Sequence, residues 1–366
     1  MLDVAFADEK AINLFDVKRA VDTLTMHVLA ACIFGQDLDF NGGRQRVAAH
    51  NRKSLEVTQR WILQQLLWII LFGNLKIPAF LRTFLPSTIR EVLETKEDYQ
   101  RYMAEFAEEL QYNDDKTKSA TNLITTIIQS NDKAREDKLV ATGRRMYLTD
   151  HELYANLFIL NMAGFETTAT TLGFTIPYLA AYPAVQRWLV EEIDSVTKER
   201  NSNLYDEVFP QLTRMMAVMY ETLRLRGALQ HSFKVNPENQ TLELSDRELV
   251  IPGNTYFGVN AASLSRDPQY WGPDSEAWRP SRWIEQDSDT GKESLKDAPE
   301  GTIFVPWTVG PRVCPGKKFS QVEFTGTILT ILSRHRLEAQ AVSEAMHVLP
   351  IDPHQRIKSR HDAFAL

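Results

Sequence analysis

The residues best suited to chemistry lie in one stretch, residues 306–320, which reads PWTVGPRVCPGKKFS. Its cysteine, Cys314, can act as a nucleophile or as a soft metal ligand once it is ionised. A helix is predicted to begin at Lys317, and its positive dipole end, together with neighbouring basic side chains, favours the thiolate over the thiol. Gly310 and Gly316 let the backbone pass close to a flat or bulky group. We therefore predict a loop that presents a thiolate ligand beneath a planar cofactor, against the alternative of a buried structural cysteine.

An aromatic residue and an arginine extend this pattern, Trp307 and Arg312. The full spacing resembles the haem-binding signature of the cytochrome P450 superfamily, the haem-thiolate monooxygenases, and reads Trp307-x-x-Gly310-x-Arg312-x-Cys314-x-Gly316. Members of that family normally carry Phe at the position of Trp307, so an aromatic ring is kept beside the sulfur. The resemblance implies that Cys314 is the axial ligand of the iron of haem b, and that the other four residues of the signature bind the cofactor.

The middle of the most apolar predicted helix, residues 149–182, contains the segment AGFETT. Gly164 leaves room for a ligand against the helix backbone, and an acid such as Glu166 is costly there unless water or a partner satisfies it. The segment resembles the oxygen-activating part of the family's long central helix. The resemblance implies that Gly164 lies against the cofactor, that Thr167 hydrogen-bonds bound dioxygen and that Glu166 helps supply protons. The alternative is structural, since Thr hydroxyls in helices often bond back to the carbonyl four residues earlier.

Three further residues, Glu221, Arg224 and Arg282, resemble a buried ionic triad of the same family. The first two match its E-x-x-R helix, and RPSRW at residues 279–283 matches the loop that supplies the third. The resemblance implies that the triad holds the loop under the haem and takes no part in the chemistry. Without that context, Glu221 and Arg224 would be read as an exposed helix pair worth a few tenths of a kcal/mol, roughly. His231 is implied to contact a haem propionate, with a structural or solvated histidine as the alternative.

Composition sets broader limits on the fold and its partners. The chain has 366 residues and a formal net charge of −7, so it can bury a sizeable core and is not suited to nucleic acid as a partner. Two cysteines give no disulfide framework. The apolar residues 61–73 are too few to span a bilayer, which leaves a buried helix or a surface that contacts membrane or an apolar ligand. Because family members normally extend further at the amino terminus, we expect one P450-like domain over residues 1–366, shortened at that end.

The remaining patterns predict a mainly α fold with a minor β part. Helices are predicted over FDVKRAVDTLTMHVLAACIFG, ending at Gly35, over residues 87–112, and as a short apolar helix within residues 113–145. A further helix should follow the Thr149–Glu152 capping box, and Pro177 should kink or end it. Two more helices are predicted to begin at Pro183 and at Lys317. Residues 241–262 read as a small sheet or hairpin, residues 265–300 as ordered but irregular, and the end of the chain as short strands.

The resemblance implies a monooxygenase that inserts one atom of dioxygen into a small apolar organic substrate. Electrons would come from NADPH through a flavoprotein reductase, because no flavin or nicotinamide motif is evident. A place at the cytosolic surface of the endoplasmic reticulum and a role in fungal secondary metabolism are implied by the family alone. Three alternatives stay open: a haem- or ligand-binding protein without turnover, an enzyme that uses haem for isomerisation or dehydration, and a helical scaffold in which Cys314 is a core residue. The pair Glu166 and Thr167 counts against the second.

Overall fold

The computed structural model describes residues 17–34, 85–94, 97, 101, 122–136, 147–197, 204–229, 231–302 and 304–339. The chain divides into two compact units, Met1–Ala169 and Thr170–Leu366. The described part is mainly helical with small sheets, which confirms the predicted fold class. The predicted segments at residues 61–73 and at the end of the chain lie outside the described residues, and so does most of 87–112, of which 87–94 are helical.

Two helices, most of a third and the helical residues 87–94 lie in the described part of the first unit. Helix α1 spans Val17–Phe34, as predicted, and packs against α2, Leu123–Glu136. The side chain of Asn131 in α2 bonds both backbone groups of Leu148, accepting from its N–H at 2.6 Å and donating to its carbonyl at 3.1 Å. This fixes the chain immediately before the third helix.

Helix α3 spans Asp150–Ala181 and begins with the predicted capping box. The N–H of Thr149 donates to Glu152 Oε2 at 2.8 Å, and the N–H of Glu152 donates to Thr149 Oγ1 at 3.3 Å. Two N–H groups that have no partner within the helix are therefore satisfied by side chains. None of the helices in the described part of the chain is both long and apolar enough to cross a bilayer.

Pro177 does not end α3, although the sequence allowed for that outcome. The last turn is held from outside, because the ring of Tyr178 stacks on Trp278 with centroids 4.9 Å apart. Pro183 then opens helix α4, Pro183–Thr197, as predicted. A proline costs least at this first position, where its missing N–H would have no helical partner.

The second unit continues with helix α5, Thr213–Arg226. Its described residues also form three antiparallel strand pairs, two of which directly follow α5 in the chain. Strand β1 (His231–Asn236) pairs with β4 (Thr255–Asn260), β2 (Gln240–Glu243) with β3 (Glu248–Ile251), and β5 (Ile284–Gln286) with β6 (Glu293–Leu295). The register of the first pair places His231 opposite Asn260. The predicted small sheet is therefore confirmed.

Residues 265–300 are more regular than predicted. They contain helix α7 (Pro268–Trp271), a 3₁₀ turn over Pro280–Trp283 and the β5–β6 hairpin, and helix α6 (Ala261–Leu264) precedes them. Asp267 caps α7 by accepting from the N–H of Gln269 at 2.9 Å. Elements this short carry no helical periodicity, which explains why the sequence pattern did not reveal them.

Helix α8, Lys317–Leu332, begins at the predicted residue. It contacts α4 and α5, and their facing side chains form the core of this unit. The fully buried members include Leu189, Met215, Met219, Phe324 and Ile328. This packing supports the short loop that precedes α8.

Candidate active site

Cys314 lies in a loop whose backbone closes on itself just before α8. Its N–H donates to the carbonyl of Trp307 at 2.9 Å, and the hydroxyl of Thr308 donates to the carbonyl of Arg312 at 2.9 Å. The carbonyl of Cys314 accepts from the N–H of Lys317 at 3.3 Å. The loop is thus held by its own polar groups, while the cysteine side chain is exposed.

Glycine is required at Gly310 by the backbone, whereas at Gly316 an added Cβ would make only an ordinary van der Waals contact. Gly310 has φ of 80° and no heavy atom within 4 Å of an added Cβ, so its conformation rather than crowding requires glycine. A Cβ at Gly316 would lie 3.8 Å from Cys314 Sγ. Thr308 also has a positive φ, 58°, which is unusual for a β-branched residue and is offset here by its hydroxyl bond across the loop.

Basic side chains and the start of α8 lie close to Cys314 in the sequence. Arg312 and Lys317 are exposed, and the first turn of α8 has no side-chain cap because Gly316 is its N-cap. Trp307 is anchored to α8, since its indole N–H donates to Ser320 Oγ at 3.0 Å and its ring lies 5.5 Å from Lys317 Nζ. A phenylalanine at this position could not make the first of these contacts.

Glu221, Arg224 and Arg282 meet in the interior of the second unit. Arg224 makes a bidentate pair with Glu221, both bonds at 2.9 Å, and Arg282 Nε donates to Glu221 Oε1 at 2.9 Å. The Glu221 carboxylate also accepts from the N–H of Arg279 at 2.8 Å and from the indole N–H of Trp283 at 2.9 Å. Such a fully buried carboxylate is stable only because every oxygen has charged or polar donors.

The two arginines also hold the backbone around α7. Arg224 Nη1 donates to the carbonyls of Ser265 and Ser275, each at 2.6 Å. Arg282 Nη2 donates to the carbonyl of Asp274 at 3.0 Å. The cluster therefore fixes the segment around α7 to α5.

Aromatic side chains connect α5 to the cysteine loop. The ring of Tyr220, on α5, lies 5.9 Å from Trp307 and 5.4 Å from Trp283, with Phe304 also at 5.4 Å. Burial, and secondarily the charge of Asp297, raises the pKa of Tyr220, so the phenol stays neutral. Trp307 thus contacts both α5 and α8 while its carbonyl accepts the Cys314 N–H.

Glu166 and Thr167 each have a partner within the first unit. Lys18 Nζ, on α1, donates to Glu166 Oε1 at 3.2 Å, and Lys18 also pairs with Asp22. The hydroxyl of Thr167 donates to the carbonyl of Ala163 at 2.9 Å, which is the structural arrangement that the sequence left as the alternative. The catalytic roles of Glu166 and Thr167 remain predictions.

Gly164 has a neighbour that the sequence did not indicate, and His231 is exposed, as in the solvated alternative given for it. A Cβ on Gly164 would lie 2.8 Å from Leu29 Cδ1, so this side of the glycine is filled by a side chain of α1. His231 is exposed at the start of β1. Their roles at a cofactor also remain predictions.

The Cytochrome P450 family model matches residues 2–351 of this sequence. The chain belongs to the cytochrome P450 family. A crystal structure of a cytochrome P450 has the same fold, with a TM-score of 0.63 at 18% identity over 87% of this chain and 61% of that chain.

Two fungal cytochrome P450 relatives illustrate the sequence similarity. One is a phomenoic acid biosynthesis cluster cytochrome P450 monooxygenase of Leptosphaeria maculans, 32% identical over 61% of this chain and 40% of its own length. Another is cytochrome P450 monooxygenase ORF6 of Penicillium roqueforti, 26% identical over 88% of this chain and 58% of its own length. This chain therefore spans between 40% and 58% of the length of these two relatives.

The cysteine loop of this P450 fits the thiolate ligation of haem. Among the described residues, no group of three or more His, Cys, Asp or Glu side chains is placed to hold a metal ion. The exposed thiol of Cys314 is the side chain that would ligate a haem iron here. There is open space at Gly310, and α8 begins three residues after Cys314 without a side-chain cap; a helix N-terminus of this kind favours negative charge.

Several residues that complete the site were missed by sequence reasoning. Trp283 and the N–H of Arg279 bond Glu221, Ser320 anchors Trp307, and Lys18 pairs with Glu166. The tryptophan lies within the RPSRW segment, so its position offered a signal. Lys18 offered none, because nothing in the sequence relates residue 18 to residue 166.

Proposed function

We propose that this P450 is a haem-thiolate monooxygenase that inserts one atom of dioxygen into an apolar organic substrate. The observation that carries the proposal is the exposed Cys314, held by its backbone between Gly310 and Gly316 at the start of α8. When bound, thiolate-ligated haem supplies the activation of dioxygen. The protein's own residues hold the cofactor, place the substrate and deliver protons.

Six of the predicted residues have a defined task in this proposal. Cys314 ligates the iron, and the uncapped first turn of α8 stabilises its negative charge. Trp307 fills the space beside the loop, and Arg312 and His231 bind the propionates, for which their exposure leaves them available. Glu166 and Thr167 are assigned to proton delivery, as the family resemblance implies, and this requires the bond from the Thr167 hydroxyl to Ala163 to be exchanged.

For electron supply and location, the proposal rests on the family resemblance alone. We expect NADPH to deliver electrons through a flavoprotein reductase at the cytosolic face of the endoplasmic reticulum. Lys317 and Lys318 are exposed near the thiolate and would attract an acidic donor. The fungal relatives, one from a phomenoic acid biosynthesis cluster, favour a substrate from secondary metabolism.

The test is the carbon monoxide difference spectrum of the reduced protein, expressed with hemin. Wild type should show the red-shifted Soret band of thiolate ligation, and Cys314→Ala should lose it. The matched control is Cys32→Ala, which removes the other cysteine of the chain and should keep the band. A band that survives in Cys314→Ala, or that is missing from wild type, contradicts the proposal.

A binding protein without turnover is the second candidate. It is favoured by the engagement of the Thr167 hydroxyl with Ala163, which is the arrangement of a purely structural threonine. Reductant consumption with a reductase separates the two. Wild type should consume NADPH, and Thr167→Ala should still bind haem but release more peroxide for each NADPH consumed. Identical coupling in both would remove Thr167 from the proton relay.

A further inference from the structure

Helix α5 starts without a cap of its own. Its N-cap residue, Leu212, has no side-chain oxygen, and the first N–H groups of a helix need external acceptors. Glu192 of α4 supplies them. Its Oε1 accepts from the N–H of Arg214 at 2.6 Å and its Oε2 from the N–H of Met215 at 3.0 Å, although the residue is only 7% exposed.

The charged groups around Glu192 form a second ionic cluster on α5. Arg214 donates to Glu293 of β6 through two bonds, at 2.8 and 3.1 Å, and to Glu191 of α4 at 3.1 Å. Its guanidinium also donates to the carbonyl of Trp188 at 2.9 Å. Thus Arg214 joins the start of α5 to the β5–β6 hairpin, while Glu221 joins its later part to Arg282.

The same helix bears on the thiolate loop. Tyr220 of α5 contacts Trp307, and the carbonyl of Trp307 accepts the Cys314 N–H. A shift or rotation of α5 would therefore change the support of the loop.

We propose that Glu192 is a positioning residue whose cap on α5 sets the support of the Cys314 loop, so that its protonation changes how firmly the thiolate is held. This inference rests on the proposed function only where the test measures the ferrous–carbon monoxide band of thiolate-ligated haem. Burial raises the pKa of Glu192 from 4.5 to about 7, and Glu293 adds to the rise. The two backbone N–H groups and the charge of Arg214 act in the opposite direction but do not cancel it.

The sign of the effect on stability follows from linkage. Because the folded-state pKa is raised, the folded protein holds a proton that the unfolded chain has released between about pH 4.5 and 7. Stability is therefore greatest at the acidic end and falls as pH rises through this window. Each pH unit changes the unfolding constant by up to about tenfold for this one proton, and above the folded-state pKa the change stops.

The experiment compares wild type, Glu192→Gln and Glu191→Gln in the full haem-loaded chain. Glutamine keeps the shape and an oxygen acceptor but cannot titrate, and Glu191 is the matched control because its side chain is 68% exposed on the same helix. Unfolding in urea is followed by circular dichroism across this pH window, and retention of the red-shifted ferrous–carbon monoxide band is followed in the same samples.

The unfolding constant of wild type, relative to Glu192→Gln, should rise up to about tenfold per pH unit towards neutrality, and band retention should fall in parallel. Glu191→Gln should follow wild type. A pH profile of Glu192→Gln identical to that of wild type overturns the proposal, and so does a difference in unfolding without one in band retention.

A wild type that lacks the band at every pH refutes the proposed haem function, whereas the unfolding profiles still decide the role of Glu192 as a cap. If Glu192→Gln does not fold, a carboxyl titration of selectively ¹³C-labelled wild type, assigned with Glu192→Asp, replaces it. Absence of a Glu192 transition near neutral pH then overturns the proposal.

Discussion

Replacement of Arg282 by methionine should destabilise the fold by about 3–5 kcal/mol, the usual cost of breaking a buried ion pair on one side. Glu221 is fully buried, and the Arg282 side chain is 6% exposed. The substitution removes one of the two positive charges that face Glu221 and a donor to the carbonyl of Asp274. Methionine keeps an unbranched apolar stem but lacks the guanidinium group, and the main cost comes from a carboxylate left with a single arginine.

Arg279→Met is the matched control for this prediction. Its side chain is 44% exposed and pairs with Asp274 at 2.8 Å, an exposed pair worth at most about 1 kcal/mol. The backbone N–H that Arg279 donates to Glu221 is unaffected by the substitution. Urea unfolding of the two variants, followed by circular dichroism, should therefore separate them by at least about 2 kcal/mol. Equal losses in both variants would refute the assignment of the cost to the buried carboxylate.

Three other substitutions test local features by the same unfolding assay. Gly310→Ala should cost about 1–2 kcal/mol and weaken haem retention, because φ is 80° there and alanine disfavours that conformation. Gly164→Ala should cost between zero and about 2 kcal/mol. Overpacking against buried Leu29 costs about 1–3 kcal/mol, and the higher helix propensity of alanine offsets about 1 kcal/mol of it. A stabilised variant would show that Leu29 moves aside freely. Thr222→Val should cost about 1–3 kcal/mol, because the buried hydroxyl accepts from an indole N–H at 3.2 Å and bonds Thr175 at 3.1 Å; Thr222→Ser should recover most of the loss.

Local signals made much of this fold predictable from sequence. The capping box at Thr149, the proline at the start of α4 and the glycine before Lys317 each mark a boundary through the chemistry of one or two residues. Pro177 shows the limit of such rules, because a tertiary contact of Tyr178 holds the helical turn that a proline alone would weaken. Local rules state what a residue prefers, and packing decides whether the preference is met.

In the candidate site, too, features that are contiguous in sequence were predictable, whereas contacts that depend on packing were not. The spacing around Cys314 identified the loop because a ligand, its glycines and its aromatic neighbour are contiguous in sequence. The partners of Glu221 were only partly predictable, since the guanidinium of Arg282 belongs to a known pattern but the indole of Trp283 does not. Glu192 carries no signal at all, because a carboxylate that caps another helix is recognisable only once both helices are packed.

The buried charges of α5 contribute more to the position of the neighbouring backbone than to the stability of the fold. An apolar core of equal volume would often be as stable as a buried ion cluster, because desolvation consumes most of the Coulomb attraction. Hydrogen bonds to carbonyls, however, have direction, and Arg224 reaches Ser265 and Ser275 at 2.6 Å in a segment with little regular structure of its own. A hydrophobic contact could hold that segment close but could not fix its register. Since Tyr220 of the same helix contacts Trp307, the cluster is placed where a fixed register matters for the thiolate loop. On this hypothesis Arg282→Met loses the red-shifted ferrous–carbon monoxide band at lower urea concentrations than those that unfold the helices, and simultaneous loss of both signals would favour a purely stabilising role.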